Sequence, residues 1–179
     1  MQKLKILQKN FTQRNSQLIC LNRVLKSNFS SGYSMHNLAS DAIAIRQNQN
    51  KQEILLITRL RDPFKGMFAF PGGFVDQNED PKDACLRELK EECGIEGFNP
   101  QLVTVAGKPG RDPRKHVISI VYYVNVDPQS QVQAGDDAAT ACWYNLQDVV
   151  KNQNQKFQMA FDHRDILDIF IRKFKSEIN

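Results

Sequence analysis

Glu79, Arg87, Glu88, Glu91 and Glu92 crowd four carboxylates and one guanidinium into residues 79–92. An α-helix turns about 100° per residue, so Glu88, Glu91 and Glu92 fall inside an arc of roughly 100° and share one patch. Like charges at that spacing destabilise a helix by a few tenths of a kcal/mol per pair (~0.2–0.5) and resist ionising together. A hard divalent cation reverses the sign of that interaction. Oxygen-only donors suit Mg²⁺ or Mn²⁺ rather than zinc, and such ions act by gripping phosphate oxygens. For this helix taken alone, a solvated acidic face with i, i+4 Arg–Glu and Lys–Glu pairs is the competing reading.

The element that must carry the patch is well specified. Asp80 suits an N-cap, Pro81 the first helical position, and Asp83 puts negative charge near the positive end of the helix dipole. Gly94 supplies the stop. Cys85, Leu86, Leu89 and Cys93 form an apolar stripe beside the acidic patch, so one side packs on a core while the other meets a ligand.

Gly73, Glu79, Arg87, Glu88, Leu89, Glu91, Glu92, Gly94 and Ile95 occupy every fixed position of G-x5-E-x7-R-E-U-x-E-E-x-G-U, where U is aliphatic. The segment therefore resembles the Nudix box. That family cleaves nucleoside diphosphates linked to another moiety, with bound Mg²⁺ or Mn²⁺. The resemblance implies that Glu88, Glu91 and Glu92 hold the metal, joined by backbone oxygen near Gly72 and Gly73, while Arg87 and Glu79 orient them. It also implies an α/β (α+β) fold, the Nudix α/β/α sandwich around a mixed β-sheet. Lys65–Gly73 resembles the family's G-x-W-x-x-P-G-G approach, with Phe68 in place of the common Trp and counted as a substrate contact. Some relatives add an acid from a loop before a late strand. Asp136 and Asp137 are the candidates here, Asp137 first, although Gly-Asp-Asp is also ordinary turn chemistry.

Substrate contacts are expected from Gly107–His116, which concentrates Lys108, Arg111, Arg114 and Lys115 just before a β-type run. Guanidinium groups suit two-pronged phosphate contacts and Lys supplies a point charge. Arg111, Arg114 and Lys115 are the named candidates, with Arg59 at the end of an earlier strand. A solvated basic loop is the alternative, and His116 is given no chemistry. The pattern from Asp112 to Tyr123, the downstream Gly135–Ala138 and Met159–His163 together resemble a bacterial branch of Nudix proteins that hydrolyse ADP-ribose. In relatives a C-terminal aromatic aids recognition; Phe161 fits that place, or serves as a hydrophobic staple at the helix start. The proline of some ADP-ribose pyrophosphatases is out of register, with Pro109 and Pro113 on either side of its place. The expected activity is Mg²⁺-dependent cleavage of ADP-ribose to AMP and ribose 5-phosphate. NADH, coenzyme A and oxidised nucleoside triphosphates remain as other substrates, and a structural or nucleotide-sensing subunit of a mitochondrial complex as another class of function.

Whole-chain properties frame this. At 179 residues with 41% hydrophobic content, the chain suits one domain of about 140 residues with an appendage. No apolar run approaches the ~20 residues of a membrane-spanning helix. Cys20, Cys85, Cys93 and Cys142 lack C-x-x-C spacing and read as buried reduced thiols rather than disulfides or a zinc site. Residues 1–40 hold Lys3, Lys5, Lys9, Arg14, Arg23 and Lys26 and no acid; without these six charges the net +4 becomes −2. That composition resembles a mitochondrial transit peptide, with a matrix destination, and a basic arm docking onto an organellar complex or a structured extension are the alternatives. A cytoplasmic location is the alternative. Residues 41–179 are the expected Nudix domain, binding a nucleotide but no nucleic acid and compatible with a homodimer. After the last helix no length remains for a DNA-binding domain.

Strands are expected at 41–46, 53–59, 102–106, 117–126 and 140–144, and helices near 81–93, 146–150 and 162–178. Helices flanking a mixed sheet follow from that order.

Overall fold

The computed structural model describes residues 37–133 and 138–176. The basic segment 1–36 therefore lies outside the described residues. Within them the order is β1 (Asn37–Asn48), β2 (Lys51–Arg59), β3 (Phe68–Ala69), β4 (Gly72–Phe74), α1 (Pro81–Cys93), β5 (Gly97–Ala106), β6 (Val117–Val126), β7 (Ala138–Asn145), α2 (Leu146–Lys151) and α3 (His163–Lys173), with a short 3₁₀ turn at Gln153–Gln155.

β1 organises the sheet because it pairs with three strands. Its second half runs antiparallel to β2, from Ile45↔Ile54 to Asn48↔Lys51, across a turn at Gln49–Asn50, both with positive φ. Its first half runs antiparallel to β4, with Asp41 opposite Gly72. Along Asn37–Ile45 it is parallel to β6. β2 then pairs antiparallel with β7 and, at its end, with β3, while β5 closes the far side on β6. The sheet is mixed, as expected. β1 begins at Asn37 rather than 41, because the parallel register with β6 starts at Asn37↔Val117.

Both faces are covered. Cys85, Leu89 and Cys93 of α1 are fully buried against Ala42, Ala44, Leu55 and Val124. On the opposite face α2 and α3 bring Leu146, Val149, Ile166, Leu167 and Phe170 onto Ile43, Ile45, Val121 and Tyr123. Alternation along β1 explains the split, since even and odd residues of a strand point to opposite faces. This is the α/β/α arrangement. No helix among the described residues is long and apolar enough to cross a membrane.

α1 forms where its sequence says. The Asp80 carboxylate accepts from the Lys82 amide at 2.8 Å, Pro81 opens the first turn, and Gly94 ends the helix at φ 67°. A left-handed cap of that kind costs glycine nothing and most side chains of order 1 kcal/mol. The last helix is shorter than expected. It stops at Lys173, followed by Phe174 at φ −109°, and Ile178 lies outside the described residues.

Candidate active site

The acidic wall of the site is held by one guanidinium. Arg87 donates from Nε to Glu79 Oε1 (2.8 Å), from Nη1 to Glu88 Oε1 (2.8 Å) and Glu91 Oε2 (3.0 Å), and from Nη2 to Glu79 Oε2 (3.0 Å) and the Phe74 carbonyl (3.1 Å). An arginine has five N–H donors, and all of them are used. Glu79 also accepts from the Asp76 amide at 2.8 Å. The Arg87 bonds and then this amide bring its carboxyl down to about 2. Glu79 thus anchors Arg87, and Arg87 presents Glu88 and Glu91.

Glu92 is held separately, its Oε2 accepting from the Gly72 amide at 2.9 Å. The two glycines are required by close approach. A Cβ on Gly73 would collide with the Glu88 carboxylate, and one on Gly72 with Asp41 Oδ1 and the Ser40 carbonyl. Glu88 is half-buried, and desolvation raises its carboxyl above the ordinary range, with Arg87 opposing. An all-oxygen donor set, a desolvated carboxylate and a glycine cradle fit a hard divalent ion. Among the described residues no three Asp, Glu, His or Cys side chains form a ready ligand cluster. Converging carboxylates repel, and here Arg87 draws Glu88 and Glu91 to itself while Gly72 draws Glu92.

Next to this wall lies a cleft of about 430 Å³. Its lining brings Glu92, Gly72, Gly73 and Phe74 together with Arg59, Arg61, Arg111 and Arg114, and with Asp41 and Asp112. Arg59 donates from Nε to the Pro63 carbonyl (2.9 Å) and from Nη2 to the Arg61 carbonyl (3.4 Å). Its guanidinium lies 4.7 Å from the centre of the Phe161 ring, and that of Arg114 lies 5.9 Å from the same ring. Burial, then the like charge of Arg114, lowers the Arg59 pKa. That wall favours an anion.

Among the described residues, the ones named from the sequence fall in three kinds of place. Arg59, Arg111 and Arg114 are in the cleft. Lys115 stands outside the lining, its Nζ 4.5 Å from the centre of the Phe74 ring. Phe68 is partly buried, edge-on to Tyr144 and tilted against Phe157 at 5.4 Å each, and stands outside the cleft lining. Asp136 and Asp137 lie outside the described residues.

Three cleft residues were not singled out for chemistry. Asp41 is 8% exposed, and its Oδ2 accepts a short hydrogen bond from the Ser119 hydroxyl. His163 is 3% exposed; its Nδ1 accepts from the Phe70 amide at 3.1 Å, and its Nε2 lies 4.0 Å from Asp41 Oδ2. Accepting at Nδ1 places the proton of the neutral ring on Nε2. Asp112, 4% exposed, receives Arg114 Nη2 at 2.7 Å and Nε at 3.0 Å. An acid at the head of the apolar run Ala42–Ile45 was the one legible signal among the three.

A mixed sheet between helices, with an acidic helix beside an arginine-lined cleft, defines a phosphate-handling enzyme of the Nudix type. The NUDIX domain family matches residues 35–169. An ADP-ribose pyrophosphatase from Methanocaldococcus jannaschii is 40% identical over 163 residues, covering 90% of this chain and 88% of that protein. A MutT/nudix family protein from Enterococcus faecalis superposes with a TM-score of 0.72 at 27% identity, covering 87% of this chain and 70% of that one. A bifunctional NMN adenylyltransferase/ADP ribose pyrophosphatase from Francisella tularensis, solved with AMP and a Mn ion, gives 0.66 at 26% identity, covering 89% of this chain and 47% of that one. The chain belongs to the NUDIX family and is a Nudix hydrolase.

Proposed function

We propose that this hydrolase cleaves the pyrophosphate bridge of ADP-ribose, releasing AMP and ribose 5-phosphate. The observation that carries the reading is that one cleft is lined both by Arg59, Arg61, Arg111 and Arg114 and by Glu92, Gly72 and Gly73 of the acidic patch. The Methanocaldococcus relative supports the substrate. A pyrophosphate is anionic and inert, so its hydrolysis needs charge neutralisation and a positioned water.

Glu88, Glu91 and Glu92 are the residues that would hold Mg²⁺ or Mn²⁺, as their oxygen donors fit. Such an ion, when bound, supplies positive charge at the phosphate oxygens and a water of lowered pKa. The protein supplies the rest. Arg59 and Arg114 bind the non-bridging oxygens, and Phe161 and Phe74 offer aromatic faces to the flat base. A carboxylate of the α1 patch takes the proton of the attacking water. One P–O bond to water forms, the bridging P–O bond breaks, and the leaving phosphate monoester carries the displaced electron pair.

The test is Glu92→Gln, assayed on ADP-ribose with Mg²⁺ against NADH, coenzyme A and oxidised nucleotides. A neutral amide is a poor ligand and no base, so turnover falls by about 10²–10³-fold with the fold intact by circular dichroism. Near-normal rates would remove Glu92 from the site. A wild-type preference for an oxidised nucleoside triphosphate would keep the family and overturn the substrate.

A further inference from the structure

Arg111 and Arg114 each hold a forked carboxylate partner, but Arg114 keeps 44% of its side chain exposed whereas Arg111 is buried. Its Nε donates to Asp162 Oδ2 at 2.9 Å and its Nη2 to Oδ1 at 2.6 Å, and its side chain is 5% exposed. Asp162 stands at the N-cap of α3, where an aspartate ordinarily accepts from the helix's first amides. It makes no such side-chain bond. Its carboxylate serves Arg111 instead, and although burial opposes ionisation, the Arg111 bonds hold its pKa below the usual range.

The geometry around the pair is consistent on both sides. Asp112, the next residue in the loop, takes the backbone amide and both prongs of Arg114. The Arg111 amide bonds the Lys108 carbonyl at 3.1 Å, and Gly110 turns the chain at φ 85°. On the helix side, Asp162 sits between Phe161, at φ 53°, and His163. A non-glycine residue at positive φ costs of order 1 kcal/mol and persists only when its surroundings hold it there. Phe161 is flanked by Phe64 at 4.9 Å edge-on and by His163 at 5.6 Å. One ion pair therefore joins a loop carrying Arg114 to a strained turn carrying Phe161.

We propose that Arg111 is a positioning residue, its forked ion pair with Asp162 latching the 107–116 loop to the start of α3 and so holding Arg114 over the Phe161 ring, at the part of the cleft that meets substrate. This deepens the ADP-ribose reading and rests on it for its kinetic test. The competing role, Arg111 as a direct phosphate ligand, makes the opposite forecast for its partner. Freeing Arg111 from Asp162 would then leave binding unchanged or tighter.

The experiment is a cycle of Arg111→Lys, Asp162→Asn and the double variant, in the full chain with Mg²⁺ and ADP-ribose. A latch predicts that each single change raises KM by about tenfold, that kcat moves less than about threefold, and that the double variant is no worse than either single one. It also predicts faster amide hydrogen exchange across residues 107–116 in all three, measured without substrate. That arm judges the latch even if wild-type protein ignores ADP-ribose, a result that would sink the substrate alone. Asp162→Asn preserves side-chain shape and gives a folded reading should Arg111→Lys fail to fold. Three results would overturn the latch: a raised KM in Arg111→Lys only, additive effects in the double variant, or unchanged KM and exchange alongside a lowered melting temperature.

Discussion

At Gly73 a single methyl group tests the acidic wall. The Cβ of an alanine would meet the Glu88 carboxylate, and that carboxylate is tied to Arg87 at 2.8 Å, so the two cannot both keep their places. Gly73→Ala is expected to fold, because the obstacle is the end of a side chain, but to displace Glu88 by the order of an ångström. Misplacement on that scale costs about 10²-fold in rate, read as kcat on ADP-ribose at saturating Mg²⁺. An unchanged rate would show that Glu88 need not stand where Arg87 holds it.

His163 gives a residue-scale prediction of another kind. Its ring is stacked on Phe70 at 4.8 Å and buried, and desolvation lowers its pKa below 6.5, with Asp41 and Asp162 opposing and Arg111 and Arg59 reinforcing. The sign follows from linkage. A depressed pKa means the unfolded chain binds the proton more readily, so His163 contributes stability above about pH 6.5 that is lost as pH falls through its folded value. The melting temperature is expected to drop between about pH 7.5 and pH 5, and His163→Gln is expected to flatten that slope. Equal slopes in the two proteins would show the ring titrates normally.

At the scale of elements, α1 was legible because its signals are local. Cap, proline, stripe and terminal glycine all lie within residues 80–94, and the structure starts and stops the helix at the expected places. β3 and β4 were not. They are two and three residues long, too short to show a period, and are defined by their pairing with β2 and β1. The same physics divides the site. The acidic wall is a helix face and could be read as a repeat of i, i+3 and i+4; the arginine wall draws on residues 59–61 and 111–114, which only the tertiary fold brings together. Asp162 lies 51 residues from Arg111, so nothing in the local pattern of either showed that the guanidinium was already spoken for. Arg87→Lys tests α1 as a unit. Lysine offers three donors from one point where arginine spreads five, so Glu79, Glu88 and Glu91 cannot all be held. Circular dichroism is expected to stay intact while kcat falls by about 10-fold or more; full activity would reduce Arg87 to a surface ion-pair partner.

For the molecule as a whole, the net charge of +4 says little about the cleft, because six positive charges lie in residues 1–40. What matters is that the fold gathers arginines and the acidic patch into the lining of one cavity. Arg59 is partly buried there, beside Arg114, so an anion near them gains more than it would at an open surface. Two treatments separate the walls. Chelation is expected to abolish turnover, with recovery on adding Mg²⁺ or Mn²⁺, since the carboxylates alone repel the substrate. Raising monovalent salt from about 0.1 M to about 1 M shortens the screening length from ~10 Å to ~3 Å, which weakens attraction by the arginines before contact but leaves the bound chemistry nearly alone. KM for ADP-ribose is therefore expected to rise several-fold over that range with kcat little changed, and Arg59→Ala to raise KM at low salt and make its salt dependence shallower. A KM indifferent to salt in the wild-type protein would mean that the arginine wall does not meet the diphosphate, and the substrate would then have to be bound by its uncharged parts.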